Sequence, residues 1–229
     1  MRKLGLIGGM SWFSTRSYYE RINRQVQRRA GDRASAPLLI ESLDFSGLVR
    51  LSTPEDWERA AQVLCDSAQR LEVSGATAII IGANSMHKVY DKVAGSVSVP
   101  VLHIAECVGE RLADDAVKKA ALIGTRNVML ESFYRQKLIA RDIELLPPEM
   151  DVVETLDRII YEELIVGKPS RQAERELKTI ITNLAQDGAQ AVVLGCTELE
   201  MVVPIDANVL PIYDCTRIHA DAAVEWILG

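Results

Sequence analysis

Near the carboxyl end an apolar run, Ala191-Val192-Val193-Leu194, closes on Gly195, and Cys196 follows with Thr197 and Glu198 behind it. A thiol placed where a buried strand gives way to a turn lies at the end of an open α/β sheet, where such folds build their sites. Its chemistry is that of a nucleophile or an acid/base. An earlier stretch, 74–85, repeats the pattern of 187–198, and in it Ala83 stands where Cys196 stands, 113 positions before it. Inversion at carbon needs one group to take a proton from one face while another delivers a proton to the opposite face, and thiols suit both tasks. Only one of the two thiols is here.

The elements that must position these residues repeat as well. Residues 3–7 read as a short strand, followed by Gly8-Gly9-Met10-Ser11 and a helical pattern over 14–30, and residues 119–125 restart the same order at an offset of 116. Strands are expected at 37–43, 77–81 and 99–102 in the first half and at 143–146, 190–195 and 209–214 in the second, with helices between them. Thr53 followed by Pro54 and Glu55 marks one helix start, and Ser74-Gly75 its end. Gly167-Lys168-Pro169 splits two helices in the second half. Offsets of 116, 113 and 111 in one order imply two α/β lobes of similar topology, each a mainly parallel sheet flanked by helices. Such lobes would present the ends of their third strands to a shared active-site cleft.

The glycines after the first strand read either as a tight turn or as a substrate-facing loop whose backbone N–H groups meet an anion. They do not make a dinucleotide site, because the G-x-G-x-x-G spacing is absent. His87 has a pKa range suited to proton transfer, but a lone histidine after a strand is more often structural.

Bulk properties bound the rest. The chain has 229 residues, 48% of them hydrophobic, enough for two small lobes with buried cores. A net charge of −6 argues against a general nucleic-acid binder, and no apolar run reaches membrane-spanning length. The expected setting is the cytoplasm. Cys65, Cys107, Cys196 and Cys215 lie far apart without C-x-x-C spacing, so neither zinc nor a disulfide framework is expected. Cys65, Cys107 and Cys215 read as packing residues.

Taken together, Gly8-Gly9-Met10-Ser11-Trp12, Ala83-Asn84-Ser85-Met86-His87, Gly195-Cys196-Thr197-Glu198-Leu199 and the stretch from Asp214 to Ala220 resemble the aspartate/glutamate racemase family over nearly the whole chain. The resemblance implies a cofactor-independent isomerase of two pseudo-symmetric lobes, interconverting L- and D-amino acids without pyridoxal phosphate and working as a homodimer. It implies that the final helix returns to the first lobe, giving lobes of 1–104 plus 210–229 and of 105–209. Cys196 is then one acid/base, and Ala83 occupies the position of the other. Thr197, Asn84, Ser85 and Thr125 would hold the substrate carboxylate, Met10 would line the cleft beside the backbone donors of Gly9, and Arg50 and Lys168 would meet a side-chain carboxylate.

The departure at Ala83 leaves three readings: an engineered substitution, a natural one-thiol enzyme, or a racemase that uses another group such as Ser85 or His87. One-thiol decarboxylases of the wider superfamily protonate a carbanion from a single face. A non-catalytic amino-acid-binding protein is the competing class.

Overall fold

A computed structural model describes residues 1–229 and divides them into two compact units, Met1–Ile104 with His219–Gly229, and Ala105–Ile218. The first unit is built on the parallel strands β1 (Leu4–Gly8), β2 (Leu38–Ser42), β3 (Ala78–Ile81) and β4 (Val101–Leu102), in the spatial order β2-β1-β3-β4. Its helices are α1 (Trp12–Ala30), α2 (Pro54–Val73), α3 (Tyr90–Gly95) and the closing α9 (Cys215–Leu228), of which His219 onward belongs to this unit. The second unit repeats the order with β5 (Lys119–Gly124), β6 (Glu144–Leu145), β7 (Ala191–Gly195) and β8 (Ile212–Asp214), arranged β6-β5-β7-β8. Its helices are α4 (Ile104–Asp114), of which Ala105 onward belongs to this unit, α5 (Arg126–Leu130), α6 (Ser132–Ile139), α7 (Met150–Ile159) and α8 (Arg171–Gln186).

The central strands β1, β3 and β7 are buried along their whole length and β5 from Ala120 onward, which is why they read as continuous apolar runs rather than alternating ones. In the first unit Leu4, Leu6, Ala78 and Ile80 face Tyr18, Ile22 and Val26 of α1 and Ala220, Ala223 and Val224 of α9. The other face, with Ile7, Ile79 and Ile81, packs on Ala60, Ala61, Leu64 and Ala68 of α2. In the second unit Ala121, Ile123, Val192 and Leu194 pack on Val153, Leu156 and Ile159 of α7 and on Leu177 and Ile181 of α8. The start of α2 carries a full capping box: Thr53 Oγ1 accepts the Asp56 N–H at 3.1 Å, Asp56 accepts the Thr53 N–H at 3.2 Å, and Pro54 opens the helix.

Two details differ from the sequence reading. The unit boundary falls between Ile218 and His219, not at 209/210, because β8 pairs in parallel with β7 through Val192–Ile212, Val193–Tyr213 and Leu194–Asp214. The helix expected between the strands at 119–125 and 143–146 is two helices, broken at Glu131, whose extended backbone (φ −86°, ψ 158°) ends α5 and caps α6. Beyond α7 the chain tightens into a π turn, Ile160–Leu164, before the Gly167-Lys168-Pro169 loop.

Candidate active site

In each unit the strand order places a switch point between two neighbouring strands, β1 and β3 in the first and β5 and β7 in the second. The connections leave in opposite directions there, so the carboxyl ends of the two strands bound a crevice, the usual ligand position of open α/β sheets. The residues just past those ends are Gly9 and Met10 after β1, Ala83 and Asn84 after β3, Thr125 after β5, and Cys196 and Thr197 after β7. Most of the residues singled out in the sequence are therefore at these four strand ends.

In the second unit the approach is close. Gly124 and Gly195 are register partners, and a Cβ on Gly124 would come within 2.8 Å of the Gly195 carbonyl oxygen. A Cβ on Gly195 would sit 2.7 Å from a methyl of Val128. Small residues here let β5 and β7 end side by side, with Thr125 and Cys196 following. Thr125 caps the amino end of α5 with extended backbone, yet its hydroxyl is buried and makes no hydrogen bond. A buried, unpartnered hydroxyl is costly unless a ligand completes it.

Cys196 is buried and extended (φ −144°, ψ 130°), the first residue before a 3₁₀ turn over Thr197–Met201. Its Sγ donates to Glu198 Oε2 at 3.2 Å, and Thr197 Oγ1 donates to the same oxygen at 2.5 Å. Burial, and then the negative charge of Glu198, push the Cys196 thiol well above its ordinary range, so the group is a thiol rather than a thiolate at neutral pH. The π turn Ile160–Leu164 packs against the Thr197–Met201 turn, which brings the loop carrying Lys168 to the same end of the sheet. Lys168 itself is exposed. The other thiols sit elsewhere: Cys215 is buried with its Sγ 2.9 Å from the Tyr134 hydroxyl, and burial raises Cys107 to about 12.

In the first unit the corresponding strand end is apolar. Ala83 belongs to a cluster with Met10, Leu48, Leu51, Trp57 and Met86, and its methyl group carries no exchangeable proton. Asn84 is buried with neither its amide nitrogen nor its oxygen hydrogen-bonded, a second incomplete polar group at a strand end. Ser85 opens the 3₁₀ turn Ser85–Val89 and is half-buried. Arg50, exposed and in the left-handed region at φ 53°, is held between Leu48 and Leu51 of the Ala83 cluster.

Two expectations change here. The Gly9 N–H is not an open donor, because it is bonded to Thr15 Oγ1 at 2.7 Å. Gly9 takes φ +85° with the Leu43 backbone 2.2 Å from where a Cβ would be, so the tight turn is the reading that fits. His87 is occupied at both ring nitrogens: Nδ1 donates to the Ala83 carbonyl at 3.0 Å, and Nε2 accepts the Ile104 N–H at 3.1 Å. The acceptor role of Nε2 fixes the neutral Nδ1–H form, and neither nitrogen is left to move a substrate proton. Glu198 is the residue that sequence reasoning passed over. Glu198 stands two positions after Cys196, and the turn over Thr197–Met201 brings its carboxylate onto the thiol, which no spacing rule in the sequence announces.

Residues 7–223 match the model of the Asp/Glu/Hydantoin racemase family, and the chain belongs to that family. A crystal structure from Yersinia pestis assigned to the Asp/Glu racemases superposes with a TM-score of 0.91 at 38% identity, covering 100% of both chains. An aspartate racemase homologue from Pyrococcus horikoshii gives 0.84 at 31% identity, again over 100% of both. The broad specificity amino-acid racemase RacX of Bacillus subtilis is 23% identical over 99% of this chain and 98% of its own length. Two parallel four-stranded sheets flanked by helices are the fold of these racemases. No helix is long and apolar enough to cross a membrane.

Proposed function

We propose that this chain acts on aspartate or glutamate by cofactor-independent proton transfer at the α-carbon, with Cys196 as the acid/base for one face. Position 83 is the place of the acid/base for the other face, and Ala83 leaves it empty of a titratable group. The observation that carries the reading is the Cys196 thiol at the end of β7, beside the end of β5, where the buried Thr125 hydroxyl has no partner. Thr125, Thr197, Asn84 and Ser85 hold the α-carboxylate, Met10 supplies an apolar wall, and Arg50 and Lys168 meet the side-chain carboxylate. Removing an α-proton without pyridoxal is a high-barrier step. The site must therefore stabilise the carbanion with preorganised donors and hold the thiol at its target.

With one acid/base present, the chain as written exchanges the α-proton from the Cys196 face and inverts slowly or not at all. The test is incubation with L-aspartate, and separately with L-glutamate, in D₂O without cofactor, followed by chiral separation with mass detection. Deuterium should appear in the recovered L-amino acid. Ala83→Cys should add deuterated D-product, with inversion rising ~10²–10⁴-fold, the usual worth of one acid/base group. No deuterium from either protein with either amino acid would overturn the reading in favour of a binding protein. D-product from the parent chain that Ala83→Cys leaves unchanged would overturn the role given to position 83.

A further inference from the structure

The one charged side chain bonded to Cys196 is a carboxylate, and it is buried with it. Glu198, Thr197 and Cys196 are all nine-tenths or more buried, and Glu198 Oε2 receives both the thiol and the threonine hydroxyl. The Thr197–Met201 turn holds this arrangement through its backbone, where Cys196 O accepts the Leu199 N–H at 3.2 Å. Around it the core is apolar: Ile123 from β5, and Ile160 and Leu164 from the π turn, share its cluster. A carboxylate in such surroundings costs several kcal/mol unless it is fully hydrogen-bonded, so packing is a poor reason for its presence.

We propose that Glu198 is the proton partner of Cys196, taking the thiol's proton before the sulfur acts as a base and returning a proton to it afterwards. This rests on Cys196 being the acid/base of the proposed reaction. In the resting pair the proton is on sulfur, which donates it to Glu198 Oε2 in a hydrogen bond. The S–H bond breaks and an O–H bond forms on Glu198, leaving a thiolate. The thiolate takes the α-proton: an S–H bond forms, the Cα–H bond breaks, and its electron pair passes into the substrate carboxylate as an enolate. On return the Cα–H bond re-forms from S–H, and Glu198 gives its proton back to the thiolate. Nothing is consumed, and in D₂O the deuteron enters while the pair exchanges with solvent.

Two readouts test this together: the rate of Cys196 alkylation by iodoacetamide across pH, with peptide mapping to separate Cys65, Cys107 and Cys215, and α-proton exchange of L-aspartate in D₂O. Glu198→Gln keeps an acceptor for Thr197 but carries no charge and accepts no proton. Its Cys196 thiol should ionise at lower pH, so alkylation near neutral pH quickens about tenfold or more, one unit of pKa being a factor of ten. Exchange should slow by at least ~10-fold in the same variant. A packing role moves both rates the same way, so opposite movement is the signature. An unchanged alkylation profile, or unslowed exchange, overturns the proposal. If the parent chain exchanges no deuterium, the proposed function has failed, while the alkylation profile still decides whether the two groups share a proton. Glu198→Asp, one methylene shorter, covers misfolding of the glutamine variant. It should shift both rates in the same opposed sense by a smaller factor, and wild-type values for both would count against the pair.

Discussion

β1 and β5 hold the same place in their sheets, yet they end differently. β1 turns through Gly9, whose left-handed backbone packs on Leu43 and whose N–H is taken by Thr15. β5 ends at Gly124 and runs into Thr125, on ordinary extended backbone, with a buried hydroxyl that nothing in the protein satisfies. The neighbouring ends differ in the same sense. After β3 come an apolar Ala83 and a neutral His87 bonded back to its carbonyl, whereas after β7 come Cys196 and Glu198 bonded to each other. One topology thus supports a strand end sealed by packing and backbone bonds and another left with titratable groups. The strand order fixes where a site lies, and a few side chains decide whether it can move a proton.

The largest effect that sharpens this contrast is acid lability. All three histidines of the chain, His87, His103 and His219, are buried in the first unit, with His87 ring centroids 4.7 Å from His103 and 5.9 Å from His219. His219 accepts the Tyr18 hydroxyl at Nδ1 and donates to the Leu102 carbonyl from Nε2. Burial, and then the proximity of His87, lower His219 to about 3. A depressed folded-state value means stability that is present above the ordinary value of about 6.5 and is lost as pH falls from there through about 3. The whole shift corresponds to roughly 4–5 kcal/mol. Urea melts at stepped pH should show this loss, and hydrogen exchange should place the earliest opening in the first unit. Equal loss of protection in the second unit, which has no histidine, would break the contrast.

Gly9→Ala comes next. The new Cβ would meet the Leu43 backbone at a positive φ, and the cost should be roughly 1–3 kcal/mol, a Tm drop of about 2–12 °C. A melt unchanged from the parent would show that the β1 turn is not sealed as described.

Thr125→Ala should have the smallest effect on stability, from zero to about 1 kcal/mol in the stabilising direction, because it removes a buried hydroxyl with no partner. Its consequence lies in binding: calorimetric affinity for the amino acid should fall about 5–10-fold, the worth of one hydrogen bond. A destabilised variant with unchanged affinity would make the hydroxyl structural.

Much of this was legible in the chain itself. The repeat offsets announced two βα units, the apolar runs marked buried parallel strands, and Gly195-Cys196 marked the end of one of them. The break in the 126–139 region was not legible, because a helical period continues through Glu131 while its backbone turns extended. Nor was the placement of β8, since a short strand beside a closing helix carries no mark of which sheet it joins until it pairs with β7.

What the sequence determined by itself was the kind of chemistry on offer: one thiol at a strand end, a methyl group at its counterpart, and the family pattern around both. Only the tertiary structure decided which groups are engaged. It bonded both nitrogens of His87, occupied the Gly9 N–H, left Asn84 and Thr125 incomplete, and folded Glu198 back onto the Cys196 thiol. The physical reason is that residue type sets what a group can donate or accept, while burial and partners, which come from packing, set whether it is free to do so.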